Sequence, residues 1–73
     1  MNMKKNSITL GIPFYSRTNS SYFDSAIKSV LDQTLQPDKI HLIQDGEVGE
    51  DLNKLVQKYI NMYQNLIQLI SLP

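Results

Sequence analysis

The sequence predicts an α/β fold in which three parallel strands alternate with two helices in the order βαβαβ. Three short apolar segments lie near the start, the middle and the end of the chain. Two longer segments between them have apolar residues at helical spacing, and turn-forming residues separate the segments. Parallel strands cannot be joined by a tight hairpin, and a helix is the usual return path between them. We therefore expect right-handed helical crossovers within one domain at most over residues 1–73.

The first half of the chain predicts a strand and an amphipathic helix. Residues 8–15 are largely apolar and too short for a stable helix, and the polar residues 17–21 then form a loop that leads into a helix cap at Ser20 or Ser21. The helix should cover about 21–34, with Asp24 in its first turn. Its apolar stripe consists of Tyr22, Phe23, Ala26, Ile27, Val30 and Leu31.

The second half predicts a strand, a helix and a final strand. Pro37 disfavours helical geometry at the residue before it and so ends the first helix, after which residues 39–44 form the second strand. Asp45 and Gly46 mark a turn. The second helix should cover about 50–64, because two acidic residues at its start favour the positive end of a helix. Its buried face consists of Leu52, Leu55, Val56, Tyr59, Ile60 and Tyr63, and residues 66–72 form the third strand.

Composition restricts the classes of function. Seven Lys and Arg balance seven Asp and Glu, so no overall charge favours nucleic acid or an anionic membrane. Without cysteine the chain has no disulfide, thiolate zinc site or cysteine nucleophile. A polar pair, Asn6 and Ser7, follows Lys4 and Lys5 where a signal peptide would have its apolar core, and no apolar run is long enough to span a membrane. We expect a cytoplasmic location.

Two polar clusters follow the first two predicted strands. Residues 13–17 (PFYSR) supply an aromatic ring, hydroxyls and a guanidinium, and residues 44–46 (QDG) supply a carboxylate beside a glycine that permits a sharp turn. Ligands of open parallel sheets bind beyond the carboxyl ends of the strands, where both clusters should lie. Each cluster alone is also typical of an ordinary turn, so their joint placement is what indicates a binding cleft.

Three other features are better explained by structure than by chemistry. His41 lies between apolar residues with no second His or Cys, which favours a structural or surface histidine over a metal ligand. Tyr59 and Tyr63 have the spacing of a packed helix face. Glu47, Glu50 and Asp51 surround a predicted helix start, where solvated charges are the simpler explanation.

The chain resembles the opening of family 2 glycosyltransferases over roughly residues 8–60. The resemblance rests on residues 8–17 (ITLGIPFYSR), 23–35 (FDSAIKSVLDQTL) and 37–46 (PDKIHLIQDG), and its most specific part is residues 26–34 (AIKSVLDQT). It implies the N-terminal part of the GT-A nucleotide-diphospho-sugar transferase fold, whose sheet is Rossmann-like. The parent protein would be an inverting enzyme that transfers a sugar from a nucleotide-diphosphate sugar donor to a hydroxyl acceptor.

By this resemblance, Tyr15 and Asp45 fall where the family contacts the nucleobase of the donor. Pro13 would shape the loop and Arg17 would lie near the same pocket. The family commonly has Asn where this chain has Ser16, and a pair of aspartates where this chain has a Gln before Asp45. The number of carboxylate acceptors helps to decide which base is held.

The resemblance also implies a divalent metal, Mn or Mg, and a general base in the parent. Both belong to motifs downstream of a third strand, and no Asp or Glu follows Asp51. We therefore assign neither catalytic nor metal-binding residues, and expect the 73-residue chain to be inactive, with self-association through its exposed sheet edge. The alternative is a non-catalytic binding module of Rossmann or response-regulator type. Against it, no GxGxxG motif follows the first strand, which also lacks the acidic cluster of a phosphoacceptor site.

Overall fold

A computed structural model describes residues 8–73 and has the predicted element order βαβαβ. The features noted at Lys4, Lys5, Asn6 and Ser7 lie outside the described residues. The elements are β1 (Thr9–Tyr15), α1 (Ser20–Leu31), β2 (Lys39–Asp45), α2 (Glu50–Met62) and β3 (Ile67–Leu72).

The three strands form one parallel sheet in the order β1-β2-β3. Leu10 pairs with Ile40, which pairs in turn with Ile67. Both helices cover the same face, because buried residues of α1 and α2 join a single core with alternate residues of the strands. The buried members are Phe14, Phe23, Ile27, Ile40, Leu42, Leu52, Val56, Tyr59 and Ile67. The predicted parallel sheet is confirmed.

The start of α1 differs from the prediction. Asn19 is the cap, and its side-chain oxygen accepts a hydrogen bond of 3.1 Å from the backbone N–H of Tyr22. The helix therefore begins at Ser20, and Asp24 lies beyond the first turn rather than in it. Asn is as good a cap as Ser, and because Asn19 lies one residue before the predicted caps, the helix begins earlier than predicted.

The apolar stripe of α1 is narrower than predicted. Phe23 and Ile27 are buried and Val30 and Leu31 pack against the core, whereas Tyr22 is 78% exposed and Ala26 is also exposed. Successive helical residues are about 100° apart, so Tyr22 points well away from the direction of Phe23. The helix also ends at Leu31 and not at residue 34. The last residues of the family-like segment 26–34 therefore lie in the loop after the helix.

Three of the six residues predicted for the buried face of α2 are buried, namely Leu52, Val56 and Tyr59. The other three, Leu55, Ile60 and Tyr63, are half-buried against the core. The helix begins at Glu50 as predicted and ends at Met62 rather than at residue 64.

A polar contact connects α2 to α1. The Tyr59 hydroxyl donates a 2.5 Å hydrogen bond to Asp24, which also forms a 3.1 Å salt bridge with Lys28. Burial, followed by this hydrogen bond, raises the pKa of Tyr59 above its ordinary range. The same bond, followed by that from Lys28, lowers the pKa of Asp24.

The opposite surface of the sheet, which we call the open face, carries no helix among residues 8–73. It is formed by the strand residues that alternate with the core residues. From the amino to the carboxyl ends of the strands they make four rows: Thr9 and Lys39; Gly11, His41 and Gln68; Pro13, Ile43 and Ile70; and Tyr15, Asp45 and Leu72. A parallel sheet usually has both faces covered, so this exposure is unusual.

Strand β1 is one edge of the sheet in the described part of the chain. The N–H of Ile8 bonds to the Asp38 side chain and the C=O of Ile8 accepts from the Asp38 N–H, so the backbone of Ile8 points towards β2. The backbone polar groups of successive strand residues point to opposite sides, so those of residue 13 point towards the free edge. Pro13 has no N–H, and at this edge no hydrogen bond of the sheet is lost as a result.

The two helices have 12 and 13 residues. Within residues 8–73, neither is long and apolar enough to cross a bilayer.

Candidate functional site at the carboxyl ends of the strands

The turn after β1 is closed by two reciprocal hydrogen bonds. The Thr18 N–H donates to the Tyr15 carbonyl over 3.0 Å, and the Tyr15 N–H donates to the Thr18 hydroxyl over 2.9 Å. A polar residue such as Thr18 can satisfy backbone groups in this way where the strand ladder ends. Ser16 and Arg17 are thereby held at the exposed tip of the turn.

The end of β2 is fixed by Gly46. This glycine has φ of 81°, in the left-handed region that favours glycine. Its carbonyl accepts a 2.9 Å hydrogen bond from the Gln44 side chain, and its N–H bonds to the Leu72 carbonyl over 3.4 Å. The carboxylate of Asp45, on the opposite side of the strand from Gln44, is left exposed on the open face.

Parallel pairing brings two of the predicted site residues side by side. Tyr15 pairs with Asp45, which pairs with Leu72 in the last row of the open face. Neighbouring strands lie about 4.8 Å apart, so the ring and the carboxylate can contact one ligand. Tyr15 is 51% exposed and is therefore accessible to a planar group. Pro13 lies one row away on the same face and supplies apolar surface next to the pair.

Arg17 is not joined to the other three residues. It is exposed at the turn, and within residues 8–73 its guanidinium forms no salt bridge or hydrogen bond. The structure thus groups Pro13, Tyr15 and Asp45 on one face and leaves Arg17 beyond the end of β1. A flexible arginine at this distance suits a charged group that extends past the sheet edge.

Two clefts in the part of the chain that the structure describes do not coincide with this group. A cleft of about 400 Å³ at the same end of the sheet lies on the helix side and is lined by Ser16, Thr18, Ser20, Gly49, Glu50, Asp51 and Leu52. A larger groove of about 710 Å³ lies between the carboxyl-terminal parts of the two helices. None of the four predicted residues lines either cavity. The site is therefore an exposed patch and not a closed pocket.

Sequence reasoning missed the helix-side cleft. The predicted order of elements could have indicated it, because both crossover helices begin after the carboxyl end of a strand and their N-termini therefore lie at the same edge of the sheet. Two acidic residues of α2, Glu50 and Asp51, line the cleft. Their negative charge opposes the anion binding that two helix N-termini would otherwise favour.

The described residues form no metal site. Within residues 8–73 no three His, Asp or Glu side chains converge on a point where a cation could be held. Asp45 has no second carboxylate beside it in its row, since Tyr15 and Leu72 flank it. The resemblance assigns its divalent metal to motifs downstream of a third strand, so this finding on residues 8–73 does not bear on it.

Comparison with models of protein families, with curated proteins and with solved structures finds no match for this chain. What is established is therefore an α/β chain with a three-stranded parallel sheet compatible with part of a Rossmann-like fold.

Proposed function

We propose that this chain is the nucleotide-binding N-terminal part of an inverting glycosyltransferase of the GT-A type. The observation that carries the proposal is the pairing of Tyr15 with Asp45 in the last row of the open face. The resemblance of the sequence to family 2 glycosyltransferases supports it, because that resemblance implies contact of the same two residues with the nucleobase of the donor. The ligand class proposed is a nucleoside diphosphate that carries a sugar.

Each side chain has a distinct part in this proposal. The exposed ring of Tyr15 offers a flat apolar surface for stacking against a base. The Asp45 carboxylate accepts hydrogen bonds and so suits a base N–H or ribose hydroxyls. Pro13 supplies a rigid apolar border. Arg17, at the tip of the turn, is placed to reach a phosphate, for which the guanidinium is well suited.

We expect weak binding and no sugar transfer by the 73 residues. An open patch buries much less of a ligand than a closed pocket, which covers about 70–90% of its surface. Asp45 is the one carboxylate among the described residues of the open face, and the resemblance assigns the metal-binding and general-base residues to motifs downstream of a third strand. The patch is therefore proposed to hold the donor and not to activate the acceptor.

Nucleotide binding is tested by titrating the chain with UDP, GDP and ADP while two-dimensional NMR spectra of labelled protein are recorded. The expected result is saturable movement of the Tyr15 and Asp45 signals with one of the three nucleotides. Tyr15→Ala and Asp45→Asn should each weaken the response about tenfold or more, the loss of one good contact. Tyr22→Ala and Asp32→Asn are matched controls, since both side chains are exposed elsewhere, and should have no effect.

The titration also separates the rival class of function. A dinucleotide-binding module would respond to NAD more strongly than to UDP or GDP, and a response-regulator-like module would respond to beryllofluoride at Asp45. If none of the nucleotides shifts the Tyr15 or Asp45 signals at millimolar concentration, the proposal is wrong.

A further inference from the structure

The open face has a polarity gradient that the proposed nucleotide site does not explain. Its two rows at the amino ends of the strands are polar and include Lys39 and His41. The next row is entirely apolar, with Pro13, Ile43 and Ile70. The last row adds Leu72, which is 46% exposed, and the carboxylate of Asp45.

The geometry points to a second copy of this chain as the occupant of the open face, with the strands of the two copies antiparallel. Two sheets that pack face to face are related by an axis lying between them, either along the strands or across them. An axis along the strands would put Lys39 over Lys39 of the second copy and Asp45 over its Asp45. These like charges would repel.

An axis across the strands removes this repulsion. It reverses the direction of the second copy, so Asp45 lies over the half of the other face that carries Lys39 and His41. An axis level with the third row stacks Pro13, Ile43 and Ile70 on the same three residues of the second copy, and it places Asp45 over His41 with Lys39 one row further along the strand. The charge pattern thus selects one orientation, and that orientation places the most apolar row at the centre.

The face is a better candidate for self-association than the β1 edge. Pro13 has no N–H to offer at that edge, and the Tyr15 N–H is already bonded to Thr18. Strand addition depends on a continuous row of free backbone groups, which these two residues interrupt. Packing through side chains of the open face has no such requirement.

The size of the face sets the strength of the association. Three strands of about seven residues cover about 330 Å² for each copy, from the spacing and rise of a parallel sheet. Stable interfaces bury about 800 Å² on each partner. The dimer should therefore be weak and become populated only towards millimolar concentration. It also covers Tyr15 and Asp45, so a bound nucleotide would compete with it, but it does not depend on nucleotide binding.

Charge substitution tests the orientation by sedimentation equilibrium. His41→Glu places a carboxylate opposite Asp45, and Asp45→Lys removes the carboxylate that faces His41, so each variant alone should associate about tenfold or more weakly. An equimolar mixture of the two variants should associate more tightly than either alone, because the new carboxylate of one variant then faces the new ammonium of the other. Circular dichroism establishes that each variant is folded. A mixture no tighter than its components would overturn the proposal.

A second measurement needs no substitution. Methyl NMR spectra of the unmodified chain, recorded from micromolar to millimolar concentration, should show movement of the Ile43 and Ile70 signals. Leu35 is the control, because it is 87% exposed but lies in the loop after α1. Movement confined to Thr9 and Gly11 amides would indicate pairing through the β1 edge, and a chain that stays monomeric throughout would leave the face to another occupant. Either result contradicts the proposal.

Discussion

Replacing Leu42 with Ala should destabilise the fold far more than replacing its neighbour Ile43. Leu42 is fully buried at the middle of the central strand, between Ile12 and Leu69 in the register. The substitution removes three carbons, or about 2.4 kcal/mol of transfer free energy, and a residual cavity brings the cost to about 3–4 kcal/mol. Ile43 is half-buried on the uncovered face, where no second layer can leave a cavity. Its cost should be about 1 kcal/mol.

The assay is urea unfolding followed by circular dichroism at low micromolar concentration, below the range in which the proposed dimer would form. A domain of this length has a total stability of about 4–11 kcal/mol, so Leu42→Ala consumes a large part of it and Ile43→Ala does not. The dependence of unfolding free energy on urea should stay the same in both variants. Equal losses for the two residues would refute the conclusion that only one face of the sheet is covered.

Three further predictions concern the cap, the turn and the helix contact. Asn19→Ala should lower the free energy of urea unfolding by about 1 kcal/mol, and Ser20→Ala should lower it much less, because Asn19 caps α1. Equal effects of the two substitutions would contradict Asn19 as the cap. Gly46→Val should lose more thermal stability than Gly46→Asn, since Asn tolerates the left-handed backbone and a β-branched residue does not. The hydrogen bond from Tyr59 is the largest cause of the lowered pKa of Asp24. The bond therefore stabilises the folded chain at pH values above 3.8, the ordinary pKa of an aspartate, and this stability is lost as the pH falls through the lowered pKa. In Tyr59→Phe, the midpoint of urea unfolding should therefore fall less between neutral and strongly acidic pH than it does in the unmodified chain. An equal fall in both would contradict a contribution of this bond to the pH dependence of stability.

The element order could be predicted from the sequence because each element has a distinct pattern. The short apolar runs around Ile12 and Leu42 are too brief for helices, and the stripe through Leu52 and Val56 has helical spacing. The cap of α1 was misplaced because Asn19, Ser20 and Ser21 are all good caps and the sequence does not rank them. The structure selects Asn19 by turning Phe23 and Ile27 towards the sheet.

The candidate site was only partly predictable. Counting residues from the strand ends is enough to place Tyr15 and Asp45 at one edge of a parallel sheet. Their direct pairing depends on register, which is set by packing between Leu10, Ile40 and Ile67 in the core and cannot be read from one strand alone. The bond between Asp24 and Tyr59 joins residues 35 apart and has no local pattern.

The strand order β1-β2-β3 has a consequence for how the chain acquires its structure. Every strand pairs only with the strand before or after it in the sequence, and β2 alone has two neighbours. During synthesis, β1, α1 and β2 can assemble as one unit before α2 and β3 emerge, and β3 then adds to a preformed template. In the finished fold β1 and β3 each have a single neighbour, so loss of one of these two strands should be a lower-energy opening than loss of β2, a difference that the exchange of strand amides with solvent deuterium can measure.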